Sequence, residues 1–422
     1  MSVFTAFFCG TCSNSYDFID GEVVATLARN HPGRELVDWV ICDGPGSGTH
    51  KGDENKDRRQ GWHDGTQTAM MRAQGIEPDR ATAPSAWGIT RNIDLSTKWT
   101  APGKHWRLNG KVTGAGWESN VEHVLAVIRG EAEWSAGGGL SPQMVQEQQV
   151  RIFRKANGPI TKVNAIGWSR GAVSCHMLAN AIADSTDPRL KAVTEVNIFA
   201  IDPVPGPGLF SPERVKLPKV VRNYFAVYAR DELQYMFRPT LPKVKTGYTH
   251  FQALLVPGVH ATPSGDPYAQ QKHQGTSGKV TRHLAEQCLA QWGTPLNQRL
   301  DYDDLQLLAK YDKLLRNDNA YRSGTSWWNK GQQRKIRIGT KYAHTTVNKV
   351  PEFRMNEDLD VFINWHHREV FERLFRPVAN RVYGPDRGRP TAGVGYRCGM
   401  NLLAQAAPHL HHRLTAYEAE HA

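Results

Sequence analysis

The serine at position 169 lies in Gly167-Trp168-Ser169-Arg170-Gly171, a G-x-S-x-G spacing between an apolar run, Val163 to Ile166, and a helix-like run, Ala172 to Ala183. These residue types in this order suit an activated nucleophile. A serine hydroxyl attacks poorly until it is exposed and held near a base. A sharp strand-to-helix turn supplies the exposure, and it crowds its neighbours so that glycine is needed at 167 and 171. The helix that follows aims its first N–H groups at the reacting centre, where they favour negative charge. A strand–turn–helix without chemistry would share the five-residue spacing, so the reading depends on partners elsewhere in the chain.

Three later strand-like runs end in such partners. Thr194 to Ile201 ends at Asp202, Val220 to Arg230 ends at Asp231 and Glu232, and Phe251 to Val256 leads into Pro257-Gly258-Val259-His260. The chain order serine, acid, histidine is that of an α/β-hydrolase triad. In this reading Ser169 attacks an ester carbonyl, His260 carries the proton, and a carboxylate orients the imidazole. Asp202 and Asp231 are both placed to be that carboxylate, and strand position does not choose between them. Asp231 sits in Arg230-Asp231-Glu232, where a surface ion pair is the alternative. His283 is a rival base, because it follows a flexible loop at the start of a helix-like run to Gln291. His366 and His367 are adjacent on a helix and so are expected to point apart. The oxyanion needs two preorganised donors. The N–H of Arg170 is one, and the Gly10-Thr11 loop is expected to supply the other.

These residues need a parallel sheet whose loops converge at one edge. Phe4 to Phe8 reads as a first strand and runs into the small polar loop Cys9 to Ser15. A short helix from Glu22 to Arg29 and a strand from Leu36 to Cys42 follow. The next loop, Asp43-Gly44-Pro45-Gly46-Ser47-Gly48-Thr49, lacks the G-K-[ST] of a phosphate-binding loop and reads as a second loop at the active edge, with Asp43, Gly44 and Gly46 facing substrate. From about 51 to 110 the pattern breaks down into charges, glycines and Trp62, Trp87, Trp99 and Trp106. This reads as an inserted cap, or as irregular structure with its tryptophans packed on the sheet. Helices are expected over about 118–134 and 142–155. Beyond the His260 strand come an amphipathic helix at 303–315, Trp327-Trp328 in a basic stretch, a long helix at 358–375, and a glycine-rich, then polar tail from Tyr383.

The whole chain sets limits on these readings. Its 422 residues, 40% hydrophobic and 22% charged, suit a globular protein with a large core. No apolar run approaches the length of a membrane span. The apolar stretch at the N-terminus has no basic leader, so it reads as a strand and not a signal peptide, and the chain as made in the cytoplasm. The net charge of +11 favours polyanions. With no zinc-finger spacing, RNP-like motif or dense basic helix, a lipid surface is the expected partner and nucleic acid is not. The six cysteines are too sparse for a disulfide scaffold. Cys9-Gly-Thr-Cys12 is a lone C-x-x-C without a second pair, so no metal and no cofactor is expected.

Several of these stretches together resemble one family of α/β-hydrolases. It comprises bacterial and fungal proteins carrying an uncharacterised-domain name and includes phospholipases delivered by type VI secretion systems. Phe7-Phe8-Cys9-Gly10-Thr11 is similar to its opening F-F-D-G-T, with Cys9 in place of Asp. Gly44 to Thr49 resembles its G-V-G-T-like loop, Gly114 to Ile128 its glycine-rich turn and helix, and Gly167 to Ala172 its G-F-S-R-G-A elbow. Asp202-Pro203-Val204-Pro205 is similar to D-T-V-G, and Ala229 to Leu233 with Phe237-Arg238-Pro239 to A-L-D-E-x-R-x-x-F-x-P. Pro257 to Thr262 resembles P-G-V-H-S-D, with Ala261 and Thr262 departing from it. The resemblance covers roughly residues 3 to 265.

The resemblance implies Ser169, Asp202 and His260 as the triad, favouring Asp202 over Asp231. It also implies phospholipid ester hydrolysis, a type VI-like export route with a secretion-apparatus partner, and a cognate immunity protein. The expected architecture is an α/β-hydrolase-like, mostly parallel sheet flanked by helices in residues 1–290, with the insertion at about 51–110. A helical C-terminal region, 291–422, is expected to pack on it. Two other functions fit the same residues: a hydrolase of a soluble ester or amide, and a binding module on a hydrolase scaffold.

Overall fold

The computed structural model describes residues 2–13, 17, 21–33, 37–45, 117–130, 158–206, 209, 211–245, 247–265, 275–323, 334, 336–338, 361–383 and 394–421. The expected insertion at 51–110, the helix at 142–155 and Trp327-Trp328 lie outside the described residues, as does Gly46.

The fold is α/β. Its strands are β1 (Ser2–Phe8), β2 (Trp39–Cys42), β3 (Ile160–Trp168), β4 (Glu195–Ile201), β5 (Val221–Ala229), β6 (Thr240–Leu241), β7 (His250–Val256) and β8 (Arg337–Ile338). Six of them form one sheet in the order β2-β1-β3-β4-β5-β7, and every pairing in it is parallel. A parallel sheet needs cover on both faces, which explains the near-continuous apolar runs of its strands. One face carries α2 (Trp117–Arg129) and α3 (Arg170–Asp184). The other carries α1 (Val23–Arg29), α4 (Gly275–Gln291) and α5 (Asp304–Arg316), together with α6 (Trp365–Leu374), α7 (Arg376–Tyr383), α8 (Val394–Ala406) and α9 (Pro408–His421). A single apolar cluster on that face runs from Phe7, Ile166 and Phe199 of the sheet to Leu403, Leu410 and Leu414. Among the described residues no helix is long and apolar enough to cross a membrane.

A row of polar side chains, buried except for the half-buried Asn223, fixes the strand register. Thr5, Asn164, Asn197 and Asn223 lie side by side across β1, β3, β4 and β5. Asn223 donates to the Asn197 carbonyl oxygen at 2.7 Å, Asn197 donates to Asn164 at 2.9 Å, and Asn164 donates to the Thr294 hydroxyl at 2.8 Å. Thr294 in turn lies 2.9 Å from the Thr5 hydroxyl. Slipping one strand by a residue would turn an amide to the opposite face and orphan its neighbours. Asn197→Ala removes the middle member and strands polar groups on both sides. It is expected to lower unfolding stability by about 2–4 kcal/mol, read from the urea midpoint.

The C-terminal third is helical as expected, with one helix that starts later than its sequence pattern implies. The helix expected over 358–375 begins only at Trp365, where the Asn364 side chain accepts from the His367 N–H and caps it. Residues 361–364 are not helical, and Val361, Phe362 and Ile363 are buried. The glycine-rich, then polar tail contains α8 and α9, in keeping with the helical C-terminal region expected. Its buried residues Leu403, Ala407, Leu410 and Leu414 recur at helical spacing, a pattern diluted by the glycines and histidines around it. His366 and His367 both meet Tyr311, at different parts of it. The His366 Nδ1 lies 2.8 Å from the Tyr311 hydroxyl, and the His367 ring stacks on the Tyr311 ring at 4.5 Å. Burial lowers the basicity of both rings, to about 4 at His366.

Candidate active site

The loops that follow β1, β3, β4 and β7 meet at the carboxyl edge of the sheet, where open α/β sheets collect ligands. Register does much of the positioning. Gly167 pairs with Ala200, so Ser169 and Asp202 each stand two residues beyond the same rung. Both then leave the strand with positive φ, 56° at Ser169 and 42° at Asp202. Such conformations cost free energy for a residue with a Cβ, and they persist where surrounding structure enforces them. At the elbow the enforcement is close packing. A Cβ on Gly171 would lie 2.2 Å from the Phe8 carbonyl oxygen, and one on Gly167 would lie 2.4 Å from the backbone of Gly171. The helix can therefore start directly over β1, and Ser169 stands at its N-cap position.

Ser169, His260 and Asp202 form one hydrogen-bonded line. The Ser169 Oγ lies 2.8 Å from His260 Nε2, and His260 Nδ1 lies 2.5 Å from Asp202 Oδ2. The carboxylate at Nδ1 selects the tautomer with its proton there, which leaves Nε2 as an acceptor for the serine proton. Two aromatic rings flank the imidazole, and a backbone hydrogen bond fixes its residue. Phe237 stacks on it at 4.7 Å, Trp168 lies against it at 5.4 Å, and its own backbone N–H donates to Glu232 at 3.2 Å.

Asp202 is fully buried and accepts four hydrogen bonds. Oδ1 receives the Ala229 N–H at 3.1 Å and Arg334 Nη1 at 2.5 Å. Oδ2 receives Arg334 Nη2 at 2.8 Å as well as His260 Nδ1. Burial pushes this carboxyl up, but the Arg334 charge and the His260 contact outweigh it and hold the group below the usual carboxylate range.

The other sequence-predicted residues fall into two groups. Arg170, Gly10, Thr11, Asp43 and Gly44 join the same edge. The Arg170 guanidinium reaches from α3 to the Thr11 hydroxyl at 3.1 Å and to the Pro205 carbonyl at 3.4 Å, bridging the loops after β1 and β4. In the first of these loops the N–H groups of Cys9, Cys12 and Ser13 bond to Cys42, Pro45 and Gly10 carbonyls. Those of Gly10 and Thr11 have no acceptor among the described residues. Gly44 packs so closely on this loop that a Cβ would lie 1.6 Å from the Gly10 carbonyl oxygen, and the Asp43 carbonyl accepts from Asn120 at 2.7 Å.

Asp231 and His283 stand apart from the serine. Asp231 accepts the Gly258 N–H at 2.7 Å and pairs with Arg230, so it shapes the turn that delivers His260 without touching its ring. His283 lies in the middle of α4, stacked on Tyr302 at 5.5 Å, and makes no hydrogen bond to Ser169. Burial lowers its basicity. Cys9 is buried and Cys12 partly so, both as free thiols.

Arg334, Phe237 and Glu232 also belong to this site, though their sequence positions did not mark them for it. The latter two sit in motifs already noted around Asp231. Arg334 had no signal, being one cation in the run Gln332-Gln333-Arg334-Lys335.

No family model matches the sequence, and no curated protein matches it. Among solved structures, the chain is similar to a Tle1 effector bound to the VgrG spike from the type 6 secretion system. The identity is 13% and the TM-score 0.29, over 62% of this chain and 50% of that one. It is also similar to an uncharacterised protein from Pseudomonas aeruginosa, at 13% identity and a TM-score of 0.37, over 77% of this chain and 51% of that one. The chain spans about half the length of each of these solved chains.

Proposed function

We propose that the protein is a serine hydrolase that cleaves carboxylic ester bonds of lipids, with phospholipids as the substrate class. The observation that carries the reading is the unbroken line from the Ser169 hydroxyl through His260 to Asp202. Ser169 Oγ attacks the ester carbonyl while His260 Nε2 takes its proton. The tetrahedral intermediate collapses as the imidazolium returns that proton to the leaving alcohol, which leaves an acyl-serine. Water, deprotonated by the same imidazole, then releases the acid and restores the serine. General-base help of this kind is worth roughly two to four orders of magnitude in rate. The oxyanion would be held by the Arg170 N–H, first in its helix, and by the N–H of Gly10 or Thr11, which have no acceptor among the described residues. Each such donor contributes about 3 kcal/mol.

Three features support lipid as the substrate. The chain carries a net charge of +11, which favours an anionic surface. The apolar rings of Phe237 and Trp168 flank the reacting imidazole, and Met236, the chain neighbour of Phe237, is 45% exposed. The sequence also resembles a family that includes secreted phospholipases. On that resemblance we propose a type VI-like export route, a secretion-apparatus partner and a cognate immunity protein. We further propose residues 1–290 as the catalytic unit, with 291–422 docked on it.

The test is mass spectrometry of mixed phospholipid vesicles incubated with the wild type and with Ser169→Ala, alongside short p-nitrophenyl esters. Free fatty acid and lysolipid from the wild type alone are expected. Turnover of soluble esters with intact vesicles would move the assignment to a soluble substrate. Absence of fluorophosphonate labelling at Ser169 would leave the binding-module reading in its place.

A further inference from the structure

Arg334 belongs to none of the loops that follow the central strands. It arrives from far down the chain, and it is fixed there by two neighbouring contacts. Arg337–Ile338 pairs with Thr240–Leu241 as a two-stranded parallel sheet, and Ile336 is buried in the core on the α2–α3 face. The Thr240 N–H donates to the Pro203 carbonyl, one residue past Asp202, so this small sheet is anchored to the site itself. The guanidinium is 2% exposed. It donates to both oxygens of Asp202 and also to the carbonyls of Ala229 and Phe237, at 2.5 and 2.8 Å.

The arrangement raises a question of charge. A carboxylate with no exposure to water loses several pKa units' worth of hydration, which favours its neutral form. In the resting state His260 must be neutral to serve as a base, so it offers Asp202 a hydrogen bond and no full charge. The Ala229 N–H offers another. The remaining charged groups nearby are already occupied. Asp231 pairs with Arg230, which also meets Asp318, while Glu232 accepts from the backbone of His260 and Gln234. Arg170 bonds to Thr11 and Pro205 on the other side of the elbow. Arg334 is therefore the one full positive charge, among the described residues, bonded to the resting carboxylate. Its fork also fixes the plane of the carboxylate, and with it the direction of Oδ2 toward His260.

We infer that Arg334 is a positioning residue of the esterase reaction, clamping Asp202 in its charged form and aiming it at His260, so that the site is incomplete without the C-terminal region. This rests on the hydrolase reading above. It assigns the residues beyond 290 a part in catalysis through Asp202, without contact with substrate.

The test uses the full chain. Active sites are counted by fluorophosphonate titration, and kcat/KM on a short p-nitrophenyl ester is followed from pH 5 to 10 for wild type, Arg334→Gln and Arg334→Lys. Arg334→Gln is expected to lose at least thirtyfold in kcat/KM per titrated site at pH 7, mostly in kcat. Its acidic limb should move to higher pH by about 1–3 units, because burial then acts on Asp202 unopposed. Arg334→Lys keeps the charge and loses the fork, so its limb should stay near that of the wild type with a three- to tenfold lower kcat. If Arg334→Gln does not fold, the Arg334→Lys pattern carries the test. Variants that retain the wild-type limb and the wild-type rate per site would overturn the role while leaving the hydrolase reading intact. A uniform loss with an unmoved limb in Arg334→Gln would overturn it equally. A wild type that fails to label at Ser169 would overturn the hydrolase reading itself, and this role with it.

Discussion

Ser169→Ala is expected to abolish fluorophosphonate labelling and to lower ester hydrolysis by at least a thousandfold. Removing the nucleophile of a serine hydrolase leaves only the catalysis supplied by the oxyanion donors and by binding, and losses of roughly a millionfold are known for such sites. The change should be confined to chemistry. Among the described residues the serine side chain has one partner, His260 at 2.8 Å, and His260 remains held by Asp202, Phe237 and Trp168. The elbow conformation with φ 56° is imposed by backbone packing against β1, and alanine bears the same strain as serine there. Stability should therefore change by less than about 1 kcal/mol, the range of a single modest hydrogen bond. Heat or urea unfolding beside the activity assay separates this outcome from a variant that is inactive because it is unfolded. A Ser169→Ala protein that keeps turning over esters at the wild-type rate would place the nucleophile elsewhere.

How much of this site could be read from the chain depended on distance along the sequence. The elbow announced itself because its constraints are local. Strand, glycine, serine, glycine and helix follow one another within ten residues, and the packing of Gly171 on Phe8 explains the glycine at that position. The strands before Asp202, Asp231 and His260 were legible as apolar runs, because a parallel sheet covered on both faces demands them. Strand position alone left the two aspartates open, and the family resemblance favoured Asp202. Each ends a strand, and the difference lies in which turn each reaches: Asp202 reaches the His260 ring, and Asp231 reaches the Gly258 N–H. Arg334 and the asparagine row were not foreseen. A buried polar residue in a strand looks locally like a break in the hydrophobic pattern. Its meaning is carried by partners dozens of positions away, such as Thr294 for Asn164. The C-terminal region was read as helical, and the spacing of Leu403, Ala407, Leu410 and Leu414 carries the individual helices of its tail.

Asp202→Asn is the second large effect, and here activity and stability should fall together. A carboxylate oxygen can accept from every side, whereas a carboxamide has one acceptor and one donor. Each Asp202 oxygen receives two donors: Ala229 N–H and Arg334 at Oδ1, His260 and Arg334 at Oδ2. Whichever position takes the amide NH2, a donor then faces donors. If the amide faces His260, the ring turns to its other tautomer, and Nε2 presents a proton to Ser169 where a base is needed. An isosteric change of this kind costs about ten-thousandfold in kcat in a serine protease triad. The same substitution leaves the Arg334 guanidinium buried without its counter-ion, and breaking one side of a buried pair costs about 3–5 kcal/mol. Asp231→Asn is the control, because that residue shapes the turn and leaves the His260 ring alone, so its rate loss should stay within about tenfold, a small multiple of RT in barrier height. Combining Asp202→Asn with Arg334→Gln removes the orphaned charge. Stability should recover toward that of the wild type while activity stays at the level of Asp202→Asn alone, a non-additive result expected of directly bonded partners. Additive losses of stability in the double variant would mean that Arg334 and Asp202 are energetically independent, and the clamp would then be a crowding of two charges without mutual support.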